Sequence, residues 1–333
     1  MNVEKDIAHK NYKTFGDVIL TSNNVAFLIG GNHSVLKYTS GELSPTQKSI
    51  ADFSANIAFR KAIAHKRNAA YLHIIFPDKQ SVMIDEFPFQ PVHRLGDTYL
   101  SQIKGDIQSA ILYPADRLRM ISNPACQPLD THLTDFGSLE VLRMILDQIG
   151  MDAPSALARI ERCITKKVQS SGDLGNKFDP PLSQESLNLQ PDWEATEFHS
   201  PGGFKNDGMV EIFINPHAEI DKTVLIFGDS FFRLMLRQMS AVFSRVICLR
   251  TRFMHPEMVT LIQPEIILSG NAERYLAHVA SDREAHAFSL YPHLRNSDDL
   301  QMSEEFLTAW SALTARRSGR YQAFLQMHGW PRK

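Results

Sequence analysis

Apolar and polar positions follow two rhythms along this chain, and the clearest alternation between them lies at residues 209–290. Thr223 to Phe227 is a β-branched and apolar run that predicts a buried strand. Gly228-Asp229-Ser230 follows, and then an apolar pattern with helical spacing to about Phe243. Arg245 to Leu249 predicts a second strand and His255 to Ile262 a short helix. Glu265 to Ser269 predicts a third strand and Ala272 to Val279 another helix. Strands alternating with helices at this spacing call for a parallel sheet covered on both faces.

The part from the start to residue 167 is more decorated. Val18-Ile19-Leu20 and Val25 to Ile29 read as short strands before a Gly30-Gly31 turn. Ser44-Pro45-Thr46-Gln47 predicts a helix start with Ser44 as the cap, and Ile50, Phe53, Ile57 and Ala64 share one face of that helix. Tyr71 to Phe76 reads as a buried strand stopped by Pro77-Asp78. Leu139, Leu142, Leu146 and Ile149 mark an amphipathic helix capped by Thr134 and closed by Gly150. Residues 168–208 are rich in Ser, Gly, Asn, Pro and Asp, which predicts a long polar loop or insertion. Residues 291–333 form a tail, helical and charged from about Ser303 to Met327. The expected architecture is one integrated three-layer α/β domain around a mostly parallel sheet.

Composition adds exclusions. Apolar residues make up 43% and charged residues 22% of the 333 positions, ordinary for a globular protein. A formal charge of -2 and the lack of a basic stripe give no reason to expect nucleic acid. Cys126, Cys163 and Cys248 are odd in number and far apart, which predicts buried thiols rather than a disulfide framework or a zinc site. The first residues carry no apolar signal segment, and no apolar run reaches the length of a membrane span, so the expected address is cytoplasmic. No motif calls for a cofactor.

Two elements carry chemistry. Ser230 stands where a buried strand turns into a helix, at the carboxyl edge of a parallel sheet where ligands bind. There its hydroxyl is exposed and free N–H groups of the first helical turn face a developing oxyanion. The same Ser would also serve as a plain helix cap. A Ser nucleophile needs a base, and Leu129-Asp130-Thr131-His132 offers one. Residues two apart on an extended segment point the same way, so Asp130 could hold the His132 tautomer that takes a proton from Ser230. A turn cap beside a surface histidine is the plainer alternative. A metal reading of Asp-x-His has His33 and His73 as its candidate companions.

Gly228-Asp229-Ser230-Phe231 after an apolar strand, with Asp130-Thr131-His132 far upstream, resembles the SGNH (GDS-type) hydrolase-like family that includes the alginate O-acetylation proteins. Pro77-Asp78-Lys79 is similar to that family's Pro-x-Lys strand end. Pro264-Glu265-Ile266-Ile267 and Glu273-Arg274-Tyr275-Leu276 are similar to its Pro-Asp-x-Val strand and Glu-Arg-x-Leu ending. The resemblance spans roughly residues 15 to 280. It implies Ser230 as nucleophile, His132 as general base and Asp130 as its orienter. The family's Asp-x-His is usually followed by Trp, where this chain has Leu133, and the family is typically exported.

In GDS-type enzymes a Gly-x-Asn-like element gives the oxyanion an amide donor beside the Ser N–H. Asn271 matches it, or is a helix cap. Arg274 either meets substrate or pairs with a buried carboxylate. The function expected is acyl-ester chemistry on a carbohydrate: O-acetyl transfer through acyl-Ser230, or plain ester hydrolysis of a carbohydrate or lipid. A non-catalytic glycan-binding or scaffold domain is the rival. Partners implied are an acyl donor, a glycan acceptor and a membrane-associated protein. The 168–208 segment, outside the three residues, is expected to act as a separable acceptor lid.

Overall fold

A computed structural model of the chain describes residues 11–200, 207–294 and 302–315. Strands β1 (Tyr12–Phe15), β2 (Val18–Thr21) and β3 (Ala26–Leu28) form a small antiparallel sheet. The remaining strands are β4 (Ala70–Phe76), β5 (Ile111–Leu112), β6 (Ile164–Ser170), β7 (Gln184–Leu189), β8 (Thr196–His199), β9 (Val210–Ile214), β10 (Ile220–Gly228), β11 (Phe243–Arg250) and β12 (Ile266–Ala272). Seven of them make the central sheet in the order β5-β4-β12-β10-β11-β9-β8. From β5 to β11 the neighbours run parallel, and β9 joins β11 antiparallel. This is the three-layer α/β architecture expected from the sequence.

Alternation along the strands sorts the two faces. Val224, Ile226, Ile266 and Leu268 point to the layer of helices Asp135–Gln148, Pro154–Arg162 and Ser230–Val242. Leu225, Phe227 and Ile267 point the other way, with Met258 and Phe306 of helices Pro256–Ile262 and Glu304–Ala315. Helix Gln47–Lys66 packs Ile50, Phe53 and Ile57 against Ile75 and Ile111 on that same side. The three cysteines are buried free thiols.

Several local expectations are displaced. The helix read from Ser44 starts at Gln47, because Thr46 takes the cap and its hydroxyl accepts the Ser49 N–H at 3.2 Å. The strand expected at Glu265 to Ser269 runs on to Ala272, and the helix expected after it is a short 3-10 turn, Glu273–Ala277. Strand pairing with β4 out to Ala272–Phe76 takes those residues from the helix. Residues 168–208 carry the end of β6, the short helix Gly172–Gly175, β7 and β8, with residues 201–206 outside the described part. β6 and β7 form a separate antiparallel pair, for which Gln184-Glu185-Ser186-Leu187-Asn188-Leu189 has the right alternation. The tail helix spans Glu304–Ala315, and the rest of the expected stretch lies outside the described residues. No described helix is long and apolar enough to cross a membrane.

Candidate active site

β10 ends at Gly228 because only a glycine leaves room there. A Cβ on it would stand 2.4 Å from the Phe232 ring and 3.1 Å from the Gly270 carbonyl. Asp229 then uses both carboxylate oxygens. One caps the new helix by accepting the Phe231 N–H at 2.9 Å, and the other accepts the Ala272 N–H at 2.7 Å. The helix start is thus pinned to the end of β12, with burial pushing the Asp229 carboxyl up against the pull of those two N–H groups. Ser230 is the first residue of the helix, half-buried, and its own N–H has no acceptor within the helix.

Asp130 and His132 come from a narrow loop closed by the Cys126–Leu133 bridge and by Gln127 N–H on the His132 carbonyl at 3.0 Å. Although 98 positions separate them, His132 Nε2 lies 2.8 Å from Ser230 Oγ. The other ring nitrogen, Nδ1, lies 2.5 Å from Asp130 Oδ1. With Nδ1–H donating to the carboxylate, Nε2 is left to accept from the Ser230 hydroxyl. Asp130 Oδ1 also accepts the His132 N–H at 2.9 Å, and Oδ2 accepts the Asp173 N–H at 2.9 Å. Burial disfavours the charge on Asp130, but His132 and these N–H groups hold its carboxyl well below the ordinary carboxylate range. The His132 ring also packs on Phe231, centroids 4.8 Å apart.

Asp173 is a residue that sequence reasoning passed over. Its carboxylate accepts the Thr131 N–H at 2.7 Å and the Thr131 hydroxyl at 2.5 Å, clamping the residue between Asp130 and His132. Ligand atoms of Asp130, His132 and Asp173 lie within 4.8 Å of one another, knitted together by these hydrogen bonds. Gly172 makes the contact possible: at φ 61°, a Cβ there would meet Asp130 Cβ and the Leu129 carbonyl, each at 2.5 Å. The 168–208 segment is therefore no separable lid, since residues 172–175 brace the loop that carries Asp130. The signal available in the sequence was Gly172-Asp173 inside a polar stretch, which composition alone reads as linker.

A cleft with about 600 Å³ of open space runs along this loop, lined by Gln127, Asp130, His132, Gln184, Ser186, Asn188 and Leu234 among others. Gln184, Ser186 and Asn188 are alternate residues of β7 and so share one face. Leu234, one turn along the helix from Ser230, is 52% exposed in it.

The other two expected site residues are placed elsewhere. Asn271 lines a second pocket, with Asn56, Arg60, His73 and Tyr275. It follows Ile267 and Ser269 in the strand alternation, on the face opposite the Ser230 helix. Arg274 adopts the ion-pair alternative: its Nη1 donates to Asp78 Oδ1 at 2.5 Å, and the guanidinium lies over the Phe231 ring at 5.7 Å. No hydrogen bond joins it to Ser230, His132 or Asp130 among the described residues. His73 is buried against Ser269 Oγ at 2.9 Å and His33 packs on Tyr275, so neither joins Asp130 and His132.

No family model and no curated protein matches this sequence. Among solved structures, Bacillus cereus PatB1 is 11% identical with a TM-score of 0.57, covering 80% of this chain and 97% of its own. A DHHW family protein from Eubacterium siraeum is 9% identical with a TM-score of 0.55, covering 80% of this chain and 94% of its own. The O-acetyltransferase domain of Pseudomonas putida AlgJ is 14% identical at a TM-score of 0.48, covering 84% and 99%. At such identities the likeness concerns backbone, and what it establishes is that this chain shares the three-layer α/β fold of PatB1 and the DHHW family protein.

Proposed function

We propose that this protein performs acyl-ester chemistry on carbohydrate, moving an O-acetyl group through an acyl-Ser230 intermediate. The observation that carries the reading is the series Asp130, His132, Ser230, with contacts of 2.5 and 2.8 Å between side chains from distant segments. A helix cap needs no histidine on its hydroxyl, and Asp229 already caps this helix.

In the first half-reaction Ser230 Oγ attacks the ester carbonyl carbon of an acetyl donor as His132 Nε2 takes its proton. Asp130 stabilises the imidazolium, and the Ser230 N–H faces the oxyanion. The donor C–O bond breaks, and His132 returns the proton to the leaving alkoxide. In the second half an acceptor hydroxyl loses its proton to His132 and attacks the acyl carbon; the bond from that carbon to Ser230 Oγ breaks, and His132 returns the proton to Oγ. The acceptor class is read from the cleft: amides and hydroxyls of Gln127, Gln184, Ser186 and Asn188 beside the apolar Leu234 suit a sugar, which offers hydroxyls on its edge and C–H groups on its face.

Incubation with p-nitrophenyl acetate followed by intact-mass analysis is expected to give one acetyl adduct, absent in Ser230→Ala. A neutral oligosaccharide is expected to draw acetyl from water to sugar, and the double variant Gln184→Ala/Asn188→Ala to lose that diversion while keeping ester hydrolysis. Free acetate as the sole product across a broad acceptor panel makes the protein an esterase. No adduct on Ser230 ends the enzymatic reading and leaves a glycan-binding module.

A further inference from the structure

Lys79, in the short helix after β4, is 3% exposed. Its Nζ donates to two backbone oxygens, Ala26 O at 2.7 Å and Pro128 O at 2.8 Å. Pro128 lies two residues before Asp130, and its carbonyl also accepts the Ala26 N–H at 2.8 Å. Two carbonyl dipoles from β3 and from the loop thus point at one buried spot. Without a cation between them they repel, and among the described residues the Ala26 N–H is the loop's other polar tie to β3 at that point. The Phe27 ring lies 5.8 Å from Nζ. Burying an ammonium is expensive, and burial pushes the Lys79 pKa down to about 8, with Cys126, Asp130 and Asp173 the titratable groups that face it. Methionine would fill the same space without that cost, so the charge needs a reason.

We propose that the ammonium of Lys79 is a positioning group for Asp130 and His132: it locks their loop onto β3 and so sets the approach of His132 to Ser230, touching neither reacting atom. The proposal rests on reading Ser230 as the nucleophile, and the test separates the two.

Lys79→Met keeps volume and removes the donors. It is expected to fold by circular dichroism and to slow phosphonofluoridate labelling of Ser230 on the order of 10²-fold, the scale of a misplacement of about 1 Å. In wild type the proton between Asp130 and His132 Nδ1 is expected as a sharp downfield ¹H NMR line, and in Lys79→Met as a broadened or missing one. That line reports loop geometry whether or not the protein turns over. A folded Lys79→Met that labels within about threefold of wild type and keeps the line overturns the proposal.

Should Lys79→Met fail to fold, wild type alone decides. Raising the pH from about 7 to 9.5 discharges Lys79, weakens its ion–dipole bonds, and is expected to slow labelling several-fold. Stability moves the other way: the folded pKa of about 8 lies below the unfolded value of about 10.4, so the unfolded chain binds more protons between them and this group's contribution rises with pH. Labelling that stays flat while the melting temperature holds refutes the clamp. Wild type that shows the downfield line but never labels refutes the nucleophile instead, and the clamp is then judged by that line in wild type: broadening between about pH 7 and 9.5 supports it, and a line unchanged at about pH 9.5 overturns it.

Discussion

Replacing Asp130 by Asn tests the candidate site at its most constrained atom pair. The carboxylate accepts three N–H donors: His132 Nδ1 and the His132 N–H on Oδ1, and the Asp173 N–H on Oδ2. An amide of the same shape cannot meet all three. With its oxygen toward His132, its NH₂ faces the Asp173 N–H, donor against donor, and the brace from residues 172–175 loosens. Flipped, it donates to Nδ1, which then carries the lone pair, and Nε2 bears the proton and can no longer act as base. Asp173 cannot substitute, because both its oxygens are engaged by Thr131. The expected outcome is a fall in kcat of about 10³- to 10⁴-fold, or about 4 to 5.5 kcal/mol of transition-state stabilisation, with KM little changed. Stopped-flow release of p-nitrophenol measures both parameters. Stability should also shift with pH in a defined sense. The folded carboxyl is held below its unfolded value of about 3.9, so its contribution is present above that pH and lost as the pH falls through the lower folded value. In Asp130→Asn this part of the acid dependence of the melting temperature is expected to vanish. Retention of more than a tenth of the wild-type kcat would falsify the assignment of Asp130 as the group that orients His132.

Three further outcomes follow from the same contacts. Gly172→Ala places a methyl 2.5 Å from the Leu129 carbonyl at a φ of 61°, and is expected to cost about 2 kcal/mol of stability with a disproportionate loss of esterase rate; thermal melts beside kinetics check the pairing, and a melt shift with normal kcat refutes the brace. Asn271→Ala is expected to change kcat by less than about tenfold, since strand alternation sends its side chain to the face opposite the Ser230 helix; a loss near 10²-fold would make it the second oxyanion donor after all. Asp229→Ala is expected to lower both stability and kcat, because it frees the Phe231 and Ala272 N–H groups together; unchanged kinetics would mean that the Ser230 turn holds its shape by packing alone.

Much of the fold was legible because it is written in local periodicity. The run from Thr223 to Phe227, the glycine at its end and the helix behind it need no distant information, and neither does Thr134 capping the helix that follows the Asp130 loop. Errors fell where a contact from elsewhere overrode local preference. Ala272 to Val279 has helical character, yet β4 offers backbone partners as far as Phe76, and a paired strand buries its polar groups at lower cost than a helix start in the same place. Residues 168–208 failed for a different reason. Their composition is that of a linker, and β7 is one face polar and one face mixed, so the alternation of Gln184, Ser186 and Asn188 carries little hydrophobic signal.

The same distinction runs through the candidate site. Asp130 with His132, and Ser230, were legible because each sits in a short motif whose neighbours constrain it. What fixes them relative to one another was not. Asp173 reaches Thr131 across 42 positions, and Lys79 reaches Pro128 across 49. Neither residue announces its role locally: an Asp after a glycine reads as a turn, and a Lys after Pro-Asp reads as the first turn of a surface helix. Their importance comes from burial, which converts an ordinary side chain into one that must find specific partners or destabilise the fold. A motif can therefore nominate the residues of a candidate site. The distance of 2.8 Å between His132 and Ser230 depends on groups whose partners only the folded chain supplies.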